Sequence, residues 1–158
     1  MLTAPLPEPL ATALKPLFEA LPLDEAMPRL VVPEPARASL SDSVAKVLEN
    51  QTVAPAVAAG LWLFVDELDK SHKISQGLND DTGSFWHGIM HRREGDFSNS
   101  HHWFNRAGDH PAMKLIDGYD GHTFIDRVEQ AHKNGAEPSD LVALQRREWE
   151  ALFGWCNR

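Results

Sequence analysis

The sequence predicts an all-α protein: a single-domain helical bundle preceded by a proline-rich N-terminal arm. Three observations carry that expectation. Apolar residues recur at helical spacing along most of the chain beyond residue 38. Alternating strand patterns are confined to two short stretches, 30–32 and 114–116. Eight of the eleven prolines fall in the first 35 residues, where missing N–H groups and fixed φ angles oppose long helices.

Residues 1–38 therefore read as an arm and 39–158 as the helical domain. Within the arm, 9–20 suits one short helix carrying Leu10, Leu14, Leu17 and Phe18, with Leu21 just beyond. That apolar content requires burial against the core or a second copy of the chain. Ser39 or Ser41 is placed to cap a helix ending near Asn50. The longest periodic stretch runs over 55–76, with Val57, Leu61, Phe64, Val65 and Leu68 on one stripe. The turn-rich residues 77–83 end it, and a helix over 84–94 follows. A short helix over 98–107 is expected after Gly95 and Asp96. Thr123 and Asp126 have the spacing of a capping box for a helix that Asn134 and Gly135 terminate. The last helix starts near Pro138 or Ser139, with Val142, Trp149, Leu152, Phe153 and Cys156 on one face.

Composition excludes several classes. A formal charge of −8 opposes a general phosphate-backbone binder, because that affinity comes from counterions released around clustered Lys and Arg. Nucleic acid is not an expected partner. No apolar run reaches the roughly 20 residues needed to cross a bilayer, and the first residues lack the basic start of a secretory leader. One cysteine, Cys156, permits neither an internal disulfide nor a cysteine-based zinc motif. The expectation is a soluble protein of the cytoplasm. A Ser nucleophile is not supported, since no G-x-S-x-G turn is present.

All eight histidines lie between positions 72 and 132. His72 continues the apolar stripe of the 55–76 stretch, and Asp69 lies at its edge. On the next helix His87 and His91 stand at i and i+4, with Glu94 one turn further on the same face. A turn near Asp80 folds the two helices into an antiparallel hairpin, which sets His72 opposite His87 and Asp69 opposite His91. Imidazole and carboxylate donors so gathered suit a divalent metal: zinc, or iron, manganese or nickel if the site is more open. With water in the remaining position, Glu94 or Asp96 is the candidate general base. His101 and His102 point to different faces of one helix and read as packing residues.

A second reading starts from Arg92, Arg93, Arg106 and His110, positive donors clustered in an otherwise acidic chain. Guanidinium groups bind carboxylates and phosphates in bidentate fashion, so a metal-free module for a small anionic ligand is the alternative. A third reading is a structural or oligomerisation protein whose polar residues satisfy one another.

The run over 85–111, FWHGIMHRREGDFSNSHHWFNRAGDHP, resembles a signature of helical proteins from bacteria and fungi. That group carries no established activity, so the resemblance implies no substrate, cofactor or catalytic role. The H-x-x-x-H pair with a further histidine is also similar to the metal-dependent DinB-like four-helix proteins, from which this chain departs in ligand order and placement.

Overall fold

The computed structural model of the chain describes residues 2–158. Among the described residues there are eight α-helices, one 3-10 turn and no strand. In chain order the helices are α1 (Leu10–Ala20), α2 (Ala38–Asn50), α3 (Pro55–Phe64), α4 (Leu68–Ser75), α5 (Asp81–Glu94), α6 (Phe97–Ala107), α7 (Gly121–Lys133) and α8 (Ser139–Cys156), with the 3-10 turn at Pro111–Leu115. The architecture is all-α and single-domain. Both stretches expected as short strands differ: 114–116 lies at the end of the 3-10 turn, and Val32 donates its backbone N–H to the Arg93 carbonyl at 2.8 Å.

The bundle is built around α5, in which every residue from Gly83 to Arg93 is buried. Helix α3 is enclosed in the same way from Val57 to Phe64, as its uniformly apolar sequence requires. Small residues let the neighbours approach closely. Ser71 of α4 donates its hydroxyl to the Ala59 carbonyl at 2.9 Å, and Ser100 of α6 donates to the Gly88 carbonyl at 2.7 Å. Phe104 of α6 fills a slot between two glycines. A Cβ on Gly88 would lie 2.5 Å from its ring, and one on Gly121 of α7 would lie 2.4 Å away.

The proline-rich segment shares this core. Leu14, Leu17, Ala26, Met27 and Leu30 are all buried. Its carbonyls, which regular structure leaves unpaired, are met by side chains from elsewhere. Gln145 of α8 donates to Met27 and Arg29 at 3.0 and 3.1 Å, and Arg146 donates to Ala26 at 2.8 Å. Ser39 and Ser41 lie inside α2 instead of capping it: Arg37 is the capping residue, and Ser41 bonds Glu67 at 2.9 Å.

The expected 55–76 helix is two helices. Asp66 adopts a left-handed φ of 65°, Asp66 N–H bonds the Leu63 carbonyl, and Glu67 N–H bonds the Trp62 carbonyl at 2.9 Å. These are the bonds of a Schellman cap, with Asp in the position glycine usually holds. Arg93, fully buried, closes the cap by donating to the Leu63 carbonyl at 3.2 Å and pairing with Asp66 at 2.7 Å.

Arg92 points elsewhere. Its guanidinium is 0% exposed, lies over the Phe124 ring at 4.3 Å and grips Glu148 of α8 with two bonds of 3.0 and 2.7 Å. Tyr119 donates its hydroxyl to the same carboxylate. Removing one partner strands the other charge inside the core. Glu148→Ala is expected to lower the unfolding free energy by about 3–5 kcal/mol, and Gly88→Ala by about 1–3 kcal/mol through overpacking against Phe104. Urea denaturation followed by circular dichroism measures both.

Candidate metal centre

The turn between α4 and α5 brings the two helices into the antiparallel hairpin that the site needs. Asp80 caps α5 by accepting the Gly83 N–H at 2.8 Å, and a Cβ on Gly83 would lie 2.4 Å from Leu78. The hairpin therefore closes only with glycine at that position. His72 then projects from α4 toward His87 and His91, one turn apart on α5.

The three imidazoles meet. Ring centroids are 4.7 Å apart for His72 and His87, 5.3 Å for His72 and His91, and 4.7 Å for His87 and His91. One ring nitrogen from each lies within 4.8 Å of the others. Two nitrogens on one tetrahedral ion at about 2.0–2.1 Å stand about 3.4 Å apart, so small ring rotations bring the set onto a metal. Trp103 of α6 stacks on His87 with centroids 3.8 Å apart and covers that ring from outside.

Burial keeps one of these donors, His87, in the form a metal takes. His87 is 3% exposed, and its Nδ1 is buried without a hydrogen-bond partner. Burial, reinforced by His91, His72 and His102, pushes its pKa from 6.5 down to about 3, which leaves the ring neutral at physiological pH. His91 Nδ1 lies 2.6 Å from Glu94 Oε1. A carboxylate on one imidazole nitrogen orients the ring and leaves the other nitrogen free to ligate.

The remaining expected site residues are dispersed. Asp69 is exposed in the first turn of α4 and lies outside the histidine group. Glu94 and Asp96 form a second group with His91, but Glu94 stands at hydrogen-bond distance from His91 and Asp96 caps α6 through the Asn99 N–H. The proposed anion site does not assemble. Arg92 and Arg93 are fully buried and engaged with Glu148 and Asp66, Arg106 is exposed beside Trp103, and His110 bonds Thr82 and the Ala112 N–H. Internal carboxylates occupy the guanidinium forks that an external anion would need.

Two features escaped the sequence reading. Trp103 covers His87 from α6, and His101 joins His122 and Asp126 in a hydrogen-bonded chain. Asp126 is free for this because Asp120, not Thr123, caps α7, accepting the Thr123 N–H at 2.8 Å.

No protein-family model, no curated protein and no solved structure matches this chain.

The depressed His87 pKa makes the metal-free fold acid-sensitive. The unfolded chain takes up a proton at this residue near pH 6.5, and the native chain refuses it until about pH 3. The stabilisation is therefore complete above pH 6.5 and drains away as pH falls toward 3, at up to about 1.4 kcal/mol per pH unit. His110, also lowered by burial, adds to the same trend. Chelator-treated protein is expected to lose melting temperature steadily across that window, with a shallower slope in His87→Gln.

Proposed function

We propose that this chain is a helical protein that binds a divalent metal through His72, His87 and His91, with Glu94 orienting His91. The observation that carries the reading is the convergence of three imidazoles from two helices around one point, with one buried ring nitrogen left unpartnered. A buried polar atom without a partner costs about 1–3 kcal/mol, and ligation removes that cost. Three imidazole nitrogen donors favour zinc, and iron, manganese or nickel if waters complete a wider shell. Three protein ligands leave a position for water, the arrangement of catalytic rather than closed structural sites.

The small-anion reading loses support because Arg92 and Arg93 are held by internal carboxylates, which leaves Arg106 exposed beside Trp103. A purely structural cluster remains the competing account, and edge-to-face ring packing at the three histidines is what favours it. Among the described residues no helix is long and apolar enough to cross a membrane. With a single half-buried cysteine, we assign the protein to the reducing environment of the cytoplasm.

Elemental analysis of protein purified without a histidine tag separates the two accounts. The metal reading predicts near-stoichiometric zinc or another divalent ion, lost in a His87→Ala, His91→Ala double variant that remains folded. It also predicts a melting temperature that rises with added metal, since a ligand bound by the native state alone stabilises it. Metal-free protein with no thermal response to zinc, iron, manganese or nickel supports the structural account.

A further inference from the structure

A second histidine group stands apart from the metal centre, at the junction of α6 and α7. His101 Nε2 lies 2.9 Å from Asp126 Oδ1, and His101 Nδ1 lies 2.7 Å from His122 Nδ1. The two rings are coplanar to 2° with centroids 5.0 Å apart. Coplanar rings at that spacing place the nitrogen-to-nitrogen line along both ring axes, the geometry of a straight N–H···N bond.

With both rings in the neutral form, the protons in this chain follow from its carboxylate end. Ionised Asp126 can only accept, so His101 carries its proton on Nε2 and offers a lone pair at Nδ1. His122 must then donate from Nδ1, which leaves its Nε2 unprotonated. His122 also lines a cleft of about 680 Å³ between the end of α6, the 3-10 turn and the start of α7. Its lining carries Asp109, Asp117 and Asp120 against a single lysine, Lys114. That balance disfavours anions and admits neutral or cationic molecules.

We propose that Asp126, His101 and His122 form a relay that presents the bare Nε2 of His122 to this cleft as a general base for a small neutral or cationic molecule bearing an O–H group. The proton leaves the bound oxygen and bonds to Nε2, the O–H electron pair stays on the oxygen, and His122 becomes an imidazolium. Its new charge is stabilised through Nδ1–H by His101, which Asp126 holds in place. His101 and Asp126 are positioning residues. A simple staple between α6 and α7 would need the same contacts and the same tautomers but places no demand on the reactivity of His122 Nε2.

The relay is tested on the full chain after chelator treatment, so that its outcome is independent of the metal centre. Long-range proton–nitrogen correlation spectra at neutral pH are expected to show His122 protonated at Nδ1 and His101 at Nε2. Diethyl pyrocarbonate, which acylates unprotonated imidazole nitrogen, is expected to modify His122 several-fold faster than the exposed His102 and His132. In Asp126→Ala, an exposed substitution, that rate falls to the level of those two residues while circular dichroism stays unchanged. A proton found on Nε2 of His122, or a modification rate that Asp126→Ala leaves unaltered, overturns the proposal.

Discussion

Arg93 holds the break between α3 and α4 closed from inside the core, and the position of His72 follows from that contact. The guanidinium satisfies the Leu63 carbonyl and neutralises Asp66, the residue whose left-handed backbone turns the chain. An uninterrupted helix would carry α4 along the axis of α3. The cap instead reorients it, so that α4 packs back along α5 and delivers an imidazole to the two on that helix. Burial works against the charge on Arg93, and Asp66 is its largest counterweight. A buried ion pair of this kind adds little net stability over an apolar pair of the same shape. Its value here is geometric.

The end of α5 divides its work among three consecutive residues. Successive side chains on a helix point about 100° apart, so His91, Arg92 and Arg93 leave in three directions. His91 joins the histidine group, Arg92 reaches α8 through Glu148, and Arg93 reaches the α3–α4 cap and the Arg29 carbonyl of the proline-rich segment. Four parts of the chain are thereby referenced to one helical turn. The imidazole cluster sits on a helix whose rotation and register are determined by two buried guanidinium groups, which is the rigidity a preorganised ligand set requires.

The all-α class, the order of helices and the meeting of His72, His87 and His91 were legible because they depend on local periodicity and one short turn. The chain after residue 80 has turn residues where the helices end, and i, i+4 spacing places His87 and His91 on one face whatever surrounds them. The α3–α4 break was hidden because its cap uses Asp66 in place of glycine, and the partner that makes this tolerable lies 27 positions away. The partners of the arginines were hidden for a related reason: Glu148 and Gln145 lie on the Leu141–Leu152 stripe of α8 at helical spacing, a polar interruption that signals a buried partner but does not name it. Asp126 was hidden behind its capping-box spacing with Thr123, since Asp120 one position before the helix competes for the same N–H groups.

The metal reading concentrates on one point in space among three nitrogens. Anomalous diffraction at the zinc edge, from crystals grown with equimolar zinc, examines that point without reference to activity. The account predicts one dominant peak about 2.0–2.1 Å from a ring nitrogen of each of His72, His87 and His91, with Glu94 still bonded to His91. Zinc found only on surface carboxylates or on His102 and His132, with the three rings packed against one another and no density between them, would contradict it.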